Sequence, residues 1–207
     1  FDKKIRKVSL YKDGESLMHE KFPQMILHLK NSDVCEDIHL TTNGSLLNEK
    51  KSIEIIEAGL DTIRISVEHV HDAGYEAITQ KKFTYEEIKN NVEFLFKEKS
   101  RRGSSLKIHA KLIDTGLSAA DQEKFCNDFE PISDVLNIFQ LNQWPSAPSD
   151  LDVDFTLGTK GADKRTPSIP GRETVFYNEN RKICPEPFYT MAINFNGIVS
   201  ACSNDWS

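Results

Sequence analysis

Strand-like and helix-like apolar patterns alternate along the sequence as far as residue 141, and this alternation most constrains the fold. Short β-branched runs are each followed by a stretch in which apolar residues recur every three or four positions. The predicted strands cover residues 5–10, 36–41, 62–67, 105–113 and 135–141, and the predicted helices cover residues 16–29, 48–58, 84–99 and 118–129. Four strand–helix units and a fifth strand predict an α/β fold with right-handed crossovers. We therefore expect a partial TIM-like (β/α) barrel of parallel strands, with functional residues at the carboxyl ends of the strands.

Beyond the last predicted strand the pattern changes. Residues 144–172 contain four prolines and three glycines, and irregular stretches of this length are uncommon inside compact domains. Further on, two apolar runs flank Asn196-Gly197, which is a strong signal for a β-hairpin. We expect a barrel core in residues 1–144, a Pro/Gly-rich connecting segment in 145–182 and a small β-hairpin module in 183–207.

The composition limits the classes of partner. Hydrophobic residues make up 38% and charged residues 28% of the chain, which is typical of a globular protein. A net charge of −6 gives no support for nucleic-acid binding, which needs a basic surface. No apolar run approaches the ~18 residues of a membrane-spanning helix. We expect a cytoplasmic protein without nucleic-acid or membrane partners.

Three short polar segments fall at predicted strand ends. Gly14-Glu15 follows the first strand, Thr42-Asn43-Gly44 follows the second, and Ser66 lies near the end of the third. Ligands of parallel α/β proteins bind at these ends. Each segment alone is compatible with a turn glycine, a capping asparagine or a buried serine, whereas the set indicates a ligand site.

These motifs, together with Gly59-Leu60-Asp61-Thr62-Ile63-Arg64-Ile65-Ser66 and Tyr75-Glu76-Ala77-Ile78, occur in an order that resembles the radical S-adenosylmethionine (radical SAM) enzymes. In the tail, Cys184, Gly197 and Cys202 are similar in spacing to the opening of the SPASM domain, an auxiliary iron–sulfur extension. The resemblance implies an oxidoreductase or maturase that uses a [4Fe-4S] cluster and an electron donor such as flavodoxin or ferredoxin. It would cleave S-adenosylmethionine to a 5′-deoxyadenosyl radical, which abstracts hydrogen from a peptide, protein, sugar or aminocyclitol substrate.

The resemblance also implies roles for individual residues. Gly14 and Glu15 would hold the amino group of S-adenosylmethionine, because a carboxylate and a glycine carbonyl suit an ammonium. Thr42 and Asn43 would approach the cofactor at the next strand end. Ser66 would contact its ribose or its carboxylate.

Two tail cysteines are candidate metal ligands. The resemblance implies that Cys184 and Cys202 begin the ligand set of an auxiliary iron–sulfur cluster. Two cysteines that bracket a hairpin could also form a disulfide or join a zinc site, although a cytosolic setting argues against the disulfide.

The chain departs from the family pattern in several places. Ser16 stands in place of proline after Gly-Glu, and Asp13 stands where many members have glycine. An arginine that helps hold the cofactor carboxylate often follows the Tyr-Glu-x-Ile segment, and here Lys81 or Lys82 would have to substitute for it.

The largest departure concerns the cluster itself. No cysteine precedes Gly14, so the Cys-x3-Cys-x2-Cys loop of the family is absent from these residues. We expect that loop to be encoded upstream of Phe1, with further ligand cysteines beyond Ser207, and we expect this fragment alone to be inactive. The alternative is a cluster-free barrel that binds a partner or nucleotide without catalysis.

Histidines supply the remaining candidates. His69, His71 and Asp72 could hold a metal, but three ligands within four residues rarely reach tetrahedral geometry together, so we expect a solvated loop there. His109 and Asn142 are candidates for a substrate pocket. Because alternate strand residues face opposite sides of a sheet, the pattern does not say which parity points inward.

Overall fold

The computed structural model describes residues 4–12, 14–80, 83–140, 188, 190–194 and 196–200. The chain divides into two compact units, residues 1–139 and residues 140–207, which are described separately below.

A five-stranded sheet forms the centre of the first unit. Its strands are β1 (Ile5–Ser9), β2 (Cys35–Thr42), β3 (Thr62–Val67), β4 (Lys107–Asp114) and β5 (Val135–Gln140). They lie side by side in chain order, and the pairs β1–β2, β2–β3 and β3–β4 are parallel. Parallel strands in this order require a crossover after each strand, and the helices provide those crossovers. The predicted α/β class with parallel strands is therefore confirmed.

Five helices connect the strands. They are α1 (Phe22–Ser32), α2 (Glu49–Glu57), α3 (Asp72–Thr79), α4 (Tyr85–Arg101) and α5 (Ala119–Phe129). Three begin where the sequence places a capping side chain: Asn48 before α2, Thr84 before α4 and Ser118 before α5. Thr84 and Ser118 each form a complete capping box, so the predicted start of both helices is confirmed within a residue.

The prediction of one helix over residues 16–29 is wrong at its beginning. Ser16–Met18 form a single 3₁₀ turn, in which the Ser16 hydroxyl donates a hydrogen bond to the Leu10 carbonyl at 2.7 Å. The helix itself begins at Phe22, which puts Pro23 in the first turn, where a missing backbone N–H leaves no hydrogen bond unmade.

The loop expected around His69, His71 and Asp72 is shorter than predicted, because residues 68–71 form a loop but α3 begins at Asp72. Two contacts between distant residues fix this helix. The backbone N–H of Glu68 donates to the buried Tyr75 hydroxyl at 3.1 Å, and the backbone N–H of Tyr85 donates to the Asp72 carboxylate at 2.8 Å.

The two faces of the sheet differ in polarity. Leu40, Ile63 and Ile108 are partners across three strands, and all three are buried with the apolar side chains of the helices. The neighbouring row of partners is Thr41, Arg64 and His109. Paired residues of a sheet point to the same side, and alternate residues point to opposite sides. Thr41, Arg64 and His109 therefore mark a polar face opposite the helices, which we call the inner face.

An aspartate ties together elements at the amino end of β3. Asp61, directly before this strand, accepts a hydrogen bond from the Ile38 N–H of β2 at 2.8 Å. Its other oxygen lies 2.6 Å from the Lys30 ammonium of α1. One side chain therefore links a helix end to two strands.

A second aspartate repeats this arrangement at the amino end of β5. Asp134 accepts from the Ile108 N–H of β4 at 2.7 Å and from the Lys99 ammonium of α4 at 2.6 Å. Burial by itself raises the pKa of Asp134, but these hydrogen bonds outweigh it and leave that pKa below its usual range.

In the second unit the described residues form a short β-hairpin. Strand β6 (Ala192–Ile193) pairs antiparallel with β7 (Val199–Ser200), and Gly197 in the turn has a φ of 83°. The predicted hairpin around Asn196-Gly197 is confirmed. Among the described residues of the whole chain, no helix is long and apolar enough to cross a membrane.

Candidate functional site

Glu15 is the centre of a hydrogen-bonded group at the carboxyl ends of β1 and β2. Its Oε1 accepts from the Leu17 N–H at 3.1 Å and from the Thr42 hydroxyl at 2.8 Å, and its Oε2 accepts from the Asn43 N–H at 3.0 Å. Gly14 precedes it with a φ of 79°, a conformation that favours glycine. The structure thus brings Gly14, Glu15, Thr42 and Asn43 together.

The turn after β2 is held from both sides. The Thr42 hydroxyl accepts from the Gly44 N–H at 3.1 Å, and the Asn91 side-chain amide of α4 donates to the Gly44 carbonyl at 3.0 Å. A Cβ on Gly44 would lie 3.2 Å from an Ile65 methyl group, and the φ of this residue is 76°, so only glycine suits the position. The backbone N–H of Asn43 is therefore aimed at Glu15 by a rigid turn.

The Asn43 side chain is engaged locally. Its Oδ1 accepts from the Ser45 N–H at 2.9 Å and from the Ser45 hydroxyl at 2.7 Å. This is the turn-forming role that the sequence left open for Asn43. Its Nδ2 group makes no hydrogen bond within the described part of the chain.

Ser66 lies on the inner face next to Lys111. The two are register partners on β3 and β4, near the carboxyl ends of both strands. Just beyond Ser66, burial raises the pKa of the Glu68 carboxyl, and the nearby Lys111 opposes that rise. Burial likewise lowers the pKa of Lys111, and Glu68 opposes that shift. The Glu68 carboxyl and the Lys111 ammonium are therefore both partly buried and interact electrostatically near Ser66.

His109 lies on the same inner face, one step deeper. Its register partner is Arg64, and its ring meets the His39 ring edge-on with centroids 6.3 Å apart. Burial lowers the pKa of His109. His109 therefore lies on the polar face of the sheet, opposite the helices.

Two buried polar atoms on β2 face the same side. The Nδ1 atom of His39 and the hydroxyl of Thr41 have no hydrogen-bond partner among the described residues. Burial lowers the pKa of His39 to about 4, although Asp37 opposes this shift. His39, Thr41, Arg64 and Glu68 were not among the site residues predicted from the sequence. Their alternation with buried residues would have identified them once the inward parity was known.

The histidine pair after β3 forms a structural contact. The Nε2 atom of His71 lies 2.8 Å from an Asp121 oxygen on α5, and its ring is 5.7 Å from that of His69. The His69 ring packs so closely on Gly74 that a Cβ there would lie 2.2 Å from it. Within the described ranges no group of three or more His, Cys, Asp or Glu side chains could hold a metal.

Three predicted site residues, Cys184, Cys202 and Asn142, lie outside the described residues. Cys35 on β2 is a free thiol of the first unit, and Cys126 lies on α5. The described side chains thus offer no ligand set for an iron–sulfur cluster.

A βα fold with an acid at the first strand end defines a class, and comparison with known proteins identifies it. The family model of the radical SAM superfamily matches residues 2–110, about half of the chain. The chain belongs to the radical SAM superfamily.

Curated relatives share part of this region. The chain is similar to probable GTP 3′,8-cyclases of Methanococcus maripaludis (37% identity over 75 residues, 36% of this chain and 24% of the relative) and Methanococcus vannielii (34% over 89 residues, 43% and 28%). It is also similar to the GTP 3′,8-cyclase of Staphylococcus saprophyticus (32% over 81 residues, 39% and 24%). The chain spans about a quarter of the length of these relatives.

The superfamily implies S-adenosylmethionine and a [4Fe-4S] cluster, and the residues present can be tested against each. Glu15 accepts three hydrogen bonds, whereas a carboxylate offers about four lone-pair directions, so one remains for an ammonium. The residues at the strand ends therefore suit the amino group of S-adenosylmethionine. The described residues do not suit the cluster, because they supply no ligand set for it.

Proposed function

We propose that this chain is the S-adenosylmethionine-binding part of a radical SAM enzyme. The observation that carries the proposal is the Glu15 carboxylate, fixed at the strand ends by Leu17, Thr42 and Asn43 within a fold of this superfamily. Its three donors all come from rigid elements or from their adjoining turns. A carboxylate held in this way is pre-organised, so little entropy is lost when an ammonium binds.

The roles of the chain's own residues follow from this arrangement. Glu15 accepts a charge-assisted hydrogen bond from the amino group, and the Gly14 carbonyl can accept another. Ser66, at the end of β3, offers a hydroxyl for the ribose or the carboxylate. S-adenosylmethionine, when bound, supplies the 5′-deoxyadenosyl radical that abstracts hydrogen from a substrate. An electron donor such as flavodoxin or ferredoxin belongs to this proposal.

The substrate class is proposed from the tail. The Cys184–Gly197–Cys202 spacing and the hairpin between the cysteines resemble a SPASM extension with an auxiliary cluster. Enzymes with that extension modify peptides or proteins, or oxidise sugar and aminocyclitol alcohols. We therefore propose a substrate of these kinds. Because the chain is similar to proteins named GTP 3′,8-cyclase, a nucleotide is a further candidate substrate.

The test measures cofactor binding and cleavage by the full-length protein, reconstituted anaerobically with iron and sulfide. Glu15→Gln should raise the dissociation constant for S-adenosylmethionine about 10- to 100-fold, because a hydrogen bond between charged groups is replaced by a neutral one. Glu123→Gln, on the exposed side of α5, is the matched control and should leave that constant unchanged. Isothermal titration calorimetry gives the constants, and chromatography measures 5′-deoxyadenosine after reduction with dithionite.

Two outcomes would contradict the proposal. A Glu15→Gln protein that binds S-adenosylmethionine as tightly as the Glu123→Gln control would remove Glu15 from the site. A reconstituted protein that binds no iron and forms no 5′-deoxyadenosine would favour the alternative, a cluster-free barrel that binds a partner.

A further inference from the structure

The inner face of the sheet carries two cations, Arg64 and Lys111, that form no ion pair among the described residues. Among the described residues, the Arg64 guanidinium and the Lys111 ammonium make no hydrogen bond and no ion pair with a carboxylate. Lys111 lies 5.8 Å from the centroid of the Phe139 ring and is near enough to the partly buried Glu68 carboxyl for the two charges to interact. Both side chains are only partly exposed. Other cations of the same unit, such as Lys30 and Lys99, are paired with aspartates.

The same face carries the two unpartnered polar atoms described above, His39 Nδ1 and the Thr41 hydroxyl. Thr41 is the register partner of Arg64, and Arg64 is the register partner of His109, so the three lie in one row across the sheet. Lys111 is one step nearer to the carboxyl end of β4. We call His39, Thr41, Arg64, His109 and Lys111 the inner-face cluster.

Such a cluster is costly unless a ligand completes it. Buried polar groups are satisfied in nearly all native proteins, and a partly desolvated cation without a partner destabilises the fold. An anion with several acceptor oxygens would satisfy most of these groups at once. A guanidinium binds two oxygens of a carboxylate or phosphate in parallel, while an ammonium and a hydroxyl can each donate to a third position.

We propose that the inner-face cluster binds an oxyanion, a carboxylate or a phosphate, of the substrate. This inference rests on the proposed function, because it names the substrate chemistry of the same site. Arg64 and Lys111 supply the charge, Thr41 supplies a hydroxyl donor, and the imidazoles of His39 and His109 complete the cluster.

The position of the cluster favours the substrate over the cofactor. Arg64 lies two residues before Ser66 on β3, so the row of Thr41, Arg64 and His109 is about 7 Å deeper than the strand-end position predicted to contact the cofactor. Lys111 is level with Ser66 and lies between this row and the rim. Glu15 at the strand end would repel an anion, whereas it attracts the amino group of S-adenosylmethionine. The negative charge of Glu15 therefore favours a cationic group at the strand ends, and the positive charge of Arg64 favours an anionic group deeper in the fold.

The experiment titrates two probes into the full-length protein with S-adenosylmethionine bound, by isothermal titration calorimetry at constant ionic strength. Sodium pyrophosphate represents the phosphate class, and sodium malonate represents the carboxylate class. At least one should bind with saturation, and the tighter probe identifies the class. Arg64→Gln and Lys111→Gln should each weaken that binding by about tenfold or more, and Arg64→Lys should lie between Arg64→Gln and the wild type.

Lys50→Gln is the matched control, because it removes the same charge from α2, where the Lys50 side chain is 82% exposed. It should change anion binding less than twofold. The proposal is overturned if neither probe binds, or if Arg64→Gln and Lys111→Gln, shown to be folded by circular dichroism, bind the probes like Lys50→Gln. It is also overturned if Arg64→Gln loses S-adenosylmethionine binding, since Arg64 would then hold the cofactor.

The two proposals fail in different ways. If the wild-type protein binds no S-adenosylmethionine, the proposed function has failed, and the same probe titration without cofactor still tests the inner-face cluster. If S-adenosylmethionine binds and is cleaved but neither probe binds, only the oxyanion inference has failed.

Discussion

Glu15 and Asn43 are neighbours in space, yet they differ in what their side chains can still bind. Asn43 uses its oxygen to shape a turn, and what it gives to the site is a backbone N–H aimed at Glu15. Glu15 has three fixed donors and retains acceptor capacity. The residue with a free lone pair is therefore the one expected to make the strongest contact with a cationic group.

His39 makes the stability of the fold depend on pH. Its pKa is lowered to about 4 by burial, whereas a histidine in an unfolded chain titrates near 6.5. Between these values the unfolded chain binds more protons than the folded one, so the free energy of unfolding falls as the pH falls from about 6.5 towards 4. Above that range the neutral imidazole is present in both states, and His39 adds no pH dependence.

We predict that His39→Gln reduces this pH dependence. Between pH 7 and pH 5 the wild type should lose up to about 2 kcal/mol of unfolding free energy through His39, and the variant should not lose that part. Urea denaturation at both pH values measures it. His28→Gln on the exposed side of α1 is the control, and an equal slope in the two variants would contradict the assignment to His39.

At the scale of elements, helices that begin with a local capping motif were predicted correctly, whereas a helix that depends on contacts outside itself was not. The starts of α4 and α5 follow from Thr84 and Ser118, because a capping box involves residues only three apart. The helix α3 was expected as a loop, since it has no capping hydrogen bond from its own N-cap residue, His71, and depends on Tyr85 and Glu68, which lie outside it. Its position became visible only when the chain was folded.

The links at the amino ends of the strands make a prediction about Asp134. Asp134→Asn should lower the free energy of unfolding at pH 7 by about 2 kcal/mol, because it weakens a hydrogen bond to Ile108 and an ion pair with Lys99. The pKa of Asp134 is lowered in the fold, so its stabilisation is present above the unfolded value near 3.9 and is lost as the pH falls through the folded value. The difference between wild type and variant should therefore shrink below about pH 3.9.

A matched variant separates this link from an ordinary surface pair. Asp33→Asn removes a carboxylate that is 73% exposed and pairs with Lys4 at 2.5 Å. Surface pairs contribute about 0–1 kcal/mol, so Asp33→Asn should change stability much less than Asp134→Asn. If chemical denaturation shows that both variants lose the same free energy of unfolding, the Asp134–Lys99 pair contributes no more than an ordinary surface pair.

At the scale of the molecule, the predicted α/β class with parallel strands agrees with the structure, while the inward parity did not follow from the sequence. Both parities of β4 carry residues that could face a core: Ile108, Ala110 and Leu112 on one side, His109 and Lys111 on the other. In a sheet covered by helices on one side, only the packing decides which side is the inner one. Arg64 is a candidate ligand-binding residue because the packing of the helices on the other side leaves its side chain on the inner face.

The hairpin of the second unit gives a prediction for the whole protein. Two-stranded hairpins are marginally stable in water, and Ile193, Ile198 and Val199 are largely exposed. If Cys184 and Cys202 hold an auxiliary cluster, hydrogen exchange of the hairpin amides should slow about tenfold or more after reconstitution with iron and sulfide. The amides of β3, in the middle of the sheet, should exchange slowly before and after.

Cys184→Ala combined with Cys202→Ala supplies the comparison. In that variant, reconstitution should leave hairpin exchange unchanged, as mass spectrometry of exchanged peptides can show. A hairpin protected equally with and without metal would contradict the auxiliary-cluster proposal and leave the radical SAM assignment intact.

The aspartate links have a consequence for how a chain of this kind diverges. Lys30–Asp61 and Lys99–Asp134 fasten the sheet at its amino ends, while Glu15, Ser66 and Lys111 lie towards the opposite ends of the strands. A substitution that alters ligand recognition at the carboxyl ends of the strands therefore leaves the two lysine–aspartate pairs at the amino ends intact. Selection can change what the protein acts on without first having to rebuild what holds it together, which is one physical reason why a single scaffold serves many substrates.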